Sequence, residues 1–311
     1  MKLNFTKIAL CLSAGVYSAG ALGLQRVDVM ADPAWLLHLD CDALRPTTIG
    51  QYVLAEMDKS EAKAKLAAFQ SIFNFDLRTQ LHGLTLYGGT QRPEDGVLIV
   101  YADFEPERLV TLAKAAKDYK SSEHNKHVIH NWIDDQKKGR HKTRVYAAIE
   151  GKRVLFGQRE ESVAAALDVL DGTSSNLSST KAFSELGLSG SGRFIEGAAR
   201  KMPLPEGDPN AAVLKLSKSA QLVMGEKDQQ FQGALTLVAD NDDVAGHILS
   251  IAQGMVALGK LQTNKLATAL SLAQDGASVV GNLSLPASDV VDMLKADAAR
   301  KAARKSKESK D

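Results

Sequence analysis

The strongest constraint on the fold is a short sequence pattern that occurs once in each half of the chain. The segment GVLIVYADFEP (residues 96–106) matches GALTLVADNDD (residues 233–243): each has a glycine, alternating apolar residues, an Ala-Asp pair and then an acidic residue. Alternation with a period of two predicts a strand, and a polar residue before helically spaced apolar residues predicts a helix start. The pattern therefore predicts two related units that contain both strands and helices.

Other segments extend the two units. Apolar runs of strand length occur at residues 34–40, 81–88, 96–104, 127–133, 145–150 and 153–157. Helical spacing of apolar residues occurs at 47–73, 106–119 and 160–170. In the second unit, AVLKLS (212–217) matches the strand at 34–40. Strands that follow one another directly favour an antiparallel or mixed sheet. The predicted fold class is α+β, with two related units, each an antiparallel or mixed sheet with helices packed on one face.

Composition predicts the boundaries of these units. The first unit covers residues 30–171, a Gly/Ser/Pro-rich connection covers 172–210, and the second unit covers 211–296. Residues 297–311 are predicted to be a basic, disordered tail. From residue 295 onward the chain has seven basic and three acidic residues. This end therefore carries +4, whereas the rest of the mature chain is mildly acidic, which argues against general nucleic-acid binding.

The first residues predict export from the cytoplasm. Lys2 and Lys7 precede an uncharged stretch (8–24), and a small-x-small motif ends at Ala21. This is the layout of a cleavable signal peptide (1–21), so the mature protein is expected in the periplasm or outside the cell. No later segment is predicted to span a membrane, because the longest weakly charged run, 244–259, is too short.

Cysteine content excludes an intramolecular disulfide in the mature protein. The chain has two cysteines, and Cys11 lies within the signal peptide, which leaves Cys41 alone. A lone cysteine in an oxidising compartment is expected to be buried and inert.

One motif offers a catalytic hypothesis. The strand LLHLD is followed by Cys41 and Asp42, and a hydrophobic strand ending in Asp-x-Asp resembles the nucleophile loop of haloacid-dehalogenase-type phosphatases. The resemblance implies Asp40 as nucleophile and Asp42 as acid/base. It also implies a phosphate clamp and magnesium ligands, for which the candidates are Lys215 or Lys218, and Asp240 with Asp243.

The favoured alternative gives these aspartates a structural role. The threonine or valine expected after the second aspartate is missing, and no strand-borne Ser/Thr motif is present. On this reading Asp40 caps the end of a strand before the turn at Arg45-Pro46. Asp103 and Asp240, from the repeated Ala-Asp pair, likewise cap the helices that follow them. No catalytic residue is assigned on this reading.

Histidines and basic residues offer two further hypotheses near the hairpin at 127–150. His124 and His130 share a parity on one predicted strand and His141 could face them, which would suit a metal. His127 points the other way and no cysteine or clear carboxylate completes the set, so a solvated face is favoured and no cofactor is predicted. The hairpin tip also carries five cations, which could bind phosphate, sulfate or an anionic envelope polymer: Lys137, Lys138, Arg140, Lys142 and Arg144. The favoured alternative is a charged tip that prevents edge pairing.

A family resemblance completes these inferences. The segment WLLHLDCDALR (35–45), with LTLYG (84–88) and the strand at 100–104, resembles a set of bacterial exported proteins of unknown function with a His-x-Asp opening strand. The resemblance covers residues 30–170 and implies export and an α+β fold. It implies no activity and no catalytic residue.

Taken together, these patterns favour a non-enzymatic exported protein of the periplasm or cell envelope, with a binding or structural role. The expected partner is an anionic envelope polymer or another envelope protein, and not nucleic acid. The alternatives are an exported Asp-nucleophile phosphatase-like hydrolase, and an anionic-polymer-binding module that uses the 137–144 hairpin.

Overall fold

The computed structural model describes residues 23–134, 143–184, 186–187, 192–200 and 214–308. Strands in these ranges are β1 (Trp35–Asp40), β2 (Leu81–Gly88), β3 (Val97–Ala102), β4 (Lys120–His124), β5 (His127–Ile133), β6 (Arg144–Glu150), β7 (Arg153–Gly157), β8 (Arg193–Arg200), β9 (Ser219–Lys227), β10 (Gln230–Val238), β11 (Leu270–Asp275) and β12 (Ser278–Pro286). Helices are α1 (Cys41–Leu44), α2 (Thr48–Met57), α3 (Ser60–Phe73), α4 (Pro106–Lys114), α5 (Glu160–Leu170), α6 (Asp242–Leu261), α7 (Lys265–Ala269) and α8 (Ala287–Glu308).

These strands form a single antiparallel sheet with the order β11-β12-β10-β9-β8-β1-β2-β3-β7-β6-β5-β4. Short connections between consecutive strands, as at β4–β5 and β9–β10, allow only antiparallel pairing. The α+β class is confirmed. The strands of the two predicted units are joined in one sheet, because β1 and β8 hydrogen bond to each other at its centre.

The order of elements is the same on the two sides of this central pair. Outward from β1 come β2, β3 and then β7, with α4 following β3 in sequence. Outward from β8 come β9, β10 and then β12, with α6 following β10. The relation between the two units remains a prediction, and this repeated order supports it.

Some sequence expectations differ from the structure. Leu214 and Lys215 are helical, so the segment 212–217 is not the counterpart of β1, and the element in that place is β8, which lies in the segment expected to be a connection. Helix α8 continues to Glu308, so the tail is helical well beyond residue 297. Alanine-rich sequence and ion pairs one turn apart, such as Lys301 to Asp297 at 2.7 Å, favour helix there.

The sheet has two faces with different cover. Face A carries Leu36, Ile99 and Leu155, and in the β1–β7 half it is buried under α5, with Val163 and Leu167 in the same cluster. Face B carries the side chains at alternate positions. It is covered in separate places by α6, by α2 with α8, and by α3 with α4. Helices therefore lie on both faces, and face B is left open between them.

Candidate functional site

A row of apolar side chains crosses the open part of face B. Cross-strand partners place one residue from each of the strands β3, β2, β1, β8, β9 and β10 in line: Leu98, Leu86, Leu37, Gly197, Leu222 and Leu235. We call this set the leucine row. Leu37 is 47% exposed, Leu235 37% and Leu86 36%. Neighbouring strands are about 4.8 Å apart, so the five intervals of the row span about 24 Å.

The rows on either side of the leucine row are also uncharged. On one side lie Val100, Leu84, Leu39, Ile195, Met224 and Gly233. On the other side lie Gly88, Trp35, Ala199, Ala220 and Leu237. No charged side chain occurs in these three described rows, so a molecule that contacts the leucine row meets no ionic partner on the floor.

The exposed part of the leucine row ends at covered residues on both sides. Beyond β10, the next residue in line is the buried Gly281 of β12, where an added Cβ would meet the side chains of Leu272 and Leu270. Beyond β3, the next residue in line is Phe156, which packs with Phe69 of α3 and with α4. The row is therefore an exposed stretch of sheet between two covered ends.

The long sides of the row are bounded as well. The Trp35 indole lies over two glycines: a Cβ added at Gly88 or Gly96 would come within 2.6 and 2.8 Å of its ring atoms. The indole Nε1 donates to the Thr90 carbonyl at 2.8 Å, which fixes the ring. On the opposite side, Ile49 of α2 packs in one cluster with α8 and with the neighbouring row. The row is therefore bordered by Trp35 on one side and by the α2–α8 cluster on the other.

Helix α6 also exposes apolar side chains in its second half. Its first half packs Ala245 and Ile248 on the sheet. Ile251 and Met255 are about 40% exposed, and Leu258 is 62% exposed. Within the described residues α6 is also the one helix long and apolar enough to cross a bilayer, by length and composition alone.

The His-x-Asp motif lies on the other face. His38 is 1% exposed on face A, and its Nδ1 is 2.9 Å from the Thr85 hydroxyl. Burial lowers the pKa of His38 to about 4, so the ring is neutral at pH 7. Glu196 is its cross-strand neighbour on β8; burial raises the pKa of this carboxyl, which accepts a hydrogen bond from the Gly187 amide at 2.7 Å. These groups are core residues with no access to the leucine row.

The two aspartates of the catalytic hypothesis have structural partners. Asp40 is buried, and its Oδ1 accepts from the Ala43 amide at 2.8 Å as the N-cap of α1, whereas the favoured alternative expected a turn after the strand. Asp42 binds Arg45 at 2.6 Å and His82 at 3.0 Å. Both carboxylates are therefore held by neighbours within the fold.

The ligand set of the phosphatase hypothesis does not converge. Asp40 ends β1, whereas Asp240 and Asp243 follow the end of β10, which runs antiparallel to β1 and is three strands away. The two groups therefore lie at opposite ends of the strands. Lys218 pairs with Asp240 at 2.9 Å, and Lys215 is exposed on the same connection to β9. The phosphatase arrangement is not formed.

Asp103 and Asp240 also differ from their expected role as helix caps. Glu105 precedes α4 and makes no side-chain cap, and α6 is capped by Asn241, which accepts from the Val244 amide. Asp103 instead continues a chain of contacts: His82 Nε2 is 3.0 Å from Asp103, which accepts from Lys152 at 2.6 Å. Hydrogen bonding by Lys152 lowers the pKa of Asp103. The aspartates at these strand ends therefore form ion pairs.

The histidine hypothesis fails on geometry. His124 lies on β4 and pairs across the turn with His127 on β5, so these two share a face and His130 lies on the other. His124 contacts Asp168 at 2.8 Å, and His130 Nδ1 contacts the Tyr119 hydroxyl at 2.9 Å. His141 lies outside the described residues. Within the described ranges no group of three or more His, Cys, Asp or Glu side chains could hold a metal.

The basic hairpin and the cysteine complete the set of sequence candidates. Lys137, Lys138, Arg140 and Lys142 lie outside the described residues, as does the whole segment 1–21 predicted to be a signal peptide. Arg144 donates to the Asn131 side chain at 2.6 Å and pairs with Asp118. Burial raises the pKa of the Cys41 thiol to about 11, so the thiol stays protonated at neutral pH.

Sequence patterns did not predict the leucine row. Strands such as β1, with apolar residues at successive positions, indicate burial of both faces. A signal was present in the leucines two residues apart at 37 and 39 and at 84 and 86, which place one apolar stripe on each strand. Aligning the stripes of six strands requires the register, which no single strand contains.

Comparisons with known proteins add little. No family model matches the chain, and no curated protein matches it. Among solved structures the chain is similar to crystal form III of TP0453, with a TM-score of 0.47 and 10% identity over 87% of this chain and 97% of that one. Crystal forms I and IV of TP0453 give TM-scores of 0.45 and 0.44, with 8% and 9% identity over 87% and 90% of this chain and 96% and 99% of those. Likeness at this distance carries no function over to this chain.

Proposed function

We propose that this chain is an exported, non-enzymatic binding protein of the cell envelope that binds an apolar ligand on the leucine row. One observation carries the proposal: leucine side chains up to 47% exposed lie in line on five strands of the sheet, between rows that carry no charged side chain. An exposed apolar patch of this kind is a typical binding site, since burying it gains about 25 cal/mol per Å². The signal-peptide pattern supports export.

The state of the polar groups supports a role without catalysis. Asp40 caps a helix, Asp42 and Asp103 share His82, and His38 is neutral in the core. None of these contacts brings a nucleophile next to a general base in the leucine row. The row offers apolar contact, which holds a ligand and does not transform it.

Binding of an anilinonaphthalene dye by the mature protein tests the binding proposal. Leu37→Lys places an ammonium in the row, which a bound apolar molecule would desolvate, so dye affinity should fall at least roughly tenfold. Val27→Lys is the matched control, because Val27 is 51% exposed and lies outside the sheet. Equal affinity in the Leu37→Lys protein and the natural protein would contradict the proposal.

Export is tested separately by cell fractionation. The protein should be found in the periplasm or the medium, with its N-terminus close to residue 22. Recovery from the cytosol with the first residues intact would refute export without bearing on ligand binding.

A further inference from the structure

The length of the leucine row selects among apolar ligands. The row is about 24 Å long at the spacing of neighbouring strands, and the rows beside it carry no charge. Phe156 and the clusters of α3 and α4 close one end, and Leu270 and Leu272 cover the other at Gly281. Trp35 lies along one side. The row therefore suits a long molecule without polar groups along its length.

We propose that the occupant is a single acyl chain of a lipid, lying across the strands from β3 to β10. This inference rests on the proposed function and names its ligand. The hydrocarbon core of a bilayer is about 30 Å thick, so an acyl chain of one leaflet extends about 15 Å. The row accommodates such a chain along its length.

Gly197 is the one position of the leucine row without a side chain. The residue is buried between Leu37 and Leu222. A Cβ added there would lie 3.4 Å from Leu37 Cδ1 and 3.5 Å from the Leu36 carbonyl oxygen. A branched residue at this position would therefore press on the Leu37 side chain and change the middle of the row.

The exposed area favours an acyl chain over a second copy of the protein. Three of the five leucines are clearly exposed, each by less than half, and the others are partly buried. Such a patch offers on the order of a few hundred Å², within the usual range for one functional patch of a monomer. A standard protein interface needs roughly 800 Å² from each partner.

The backbone supports the same choice. The row lies in the middle of the sheet, where the strand N–H and C=O groups are already paired with neighbouring strands. An extended peptide laid along the row would leave its own backbone groups without partners. An acyl chain carries no such groups.

Displacement of the dye from the mature protein by hexadecanoate and by octanoate tests this inference. Hexadecanoate should displace the dye from the natural protein. Gly197→Val should lower the affinity for hexadecanoate at least tenfold. The affinity for octanoate, which needs only half of the row, should change less than threefold. Gly254→Ala is the control, because nothing lies within 4 Å of a Cβ added at that helical site. Leu86→Trp is the second variant, because the exposed position of Leu86 tolerates a larger side chain. It should lower the affinity for hexadecanoate in the same way.

The outcomes separate the inference from the proposed function. If hexadecanoate does not displace the bound dye, the ligand is not an acyl chain, and the proposed apolar binding site still stands. Dye binding that falls as the protein dimerises, measured by sedimentation, would make a second copy the occupant and overturn the inference. Absence of dye binding would refute the proposed function itself. An equal loss of affinity for hexadecanoate and octanoate in the Gly197→Val and Leu86→Trp proteins would also overturn the inference, because the length of the row would then play no part.

Discussion

Protonation of His38 should make the stability of this protein fall at acidic pH. The ring is 1% exposed, its Nδ1 is bonded to the Thr85 hydroxyl, and its Nε2 has no hydrogen-bond partner among the described residues. Burial lowers its pKa from 6.5 to about 4. The unfolded chain therefore binds a proton at a higher pH than the folded protein does. The contribution of His38 to the free energy of unfolding is fully present above pH 6.5 and is lost as the pH falls from 6.5 toward 4.

The size of the effect follows from the same two pKa values. A difference of one pKa unit corresponds to about 1.4 kcal/mol, so the full shift is worth about 3 kcal/mol. Between about pH 7.5 and about pH 5, roughly 2 kcal/mol of the free energy of unfolding should be lost through this residue. Glu196 opposes it, since burial raises the pKa of that carboxyl and its protonation favours the folded state. A comparison with a variant isolates the contribution of His38.

Urea unfolding of His38→Gln and of the natural protein at the two pH values provides the assay. The drop in unfolding free energy should be smaller by about 2 kcal/mol in the variant, because glutamine has no proton to bind. His247→Gln is the control, because His247 is exposed on α6. An unchanged pH dependence in His38→Gln would refute the assignment of His38 as a buried neutral ring.

Two further predictions concern packing and capping. Gly88→Ala should reduce stability by about 1–3 kcal/mol in urea unfolding, because its Cβ would meet the Trp35 ring at 2.6 Å. Gly254→Ala, with open space around it, should increase the free energy of unfolding by up to about 1 kcal/mol. A Gly88→Ala protein more stable than the Gly254→Ala protein would be inconsistent with the indole lying on β2. Asp40→Ala should lower the free energy of unfolding by about 1 kcal/mol because it removes the N-cap of α1, whereas Asp40→Asn should keep the cap. A magnesium-dependent phosphatase activity abolished in Asp40→Asn would show that this account of Asp40 is wrong.

Sequence patterns located many elements because those patterns are local. The alternation at 81–88 and 127–133 matches β2 and β5 to the residue, and the pattern shared by 96–106 and 233–243 marks β3–α4 and β10–α6. Helix termination was harder to predict. Residues 47–73 form two helices that meet at Lys59, whose backbone is extended, and the tail predicted to be disordered is helical to Glu308. Side-chain spacing alone does not show where a helix stops.

By itself the sequence determined the α+β class and favoured an antiparallel or mixed sheet, since alternation and short turns act within a few residues. Only the tertiary structure decided that the twelve described strands join in one sheet and that Asp40 and Asp240 lie at opposite ends of it. The leucine row was also decided there, because it brings together Leu98 and Leu235 through four intervening strands. Register between distant strands depends on which faces the helices cover, and that choice is made by packing across the whole chain.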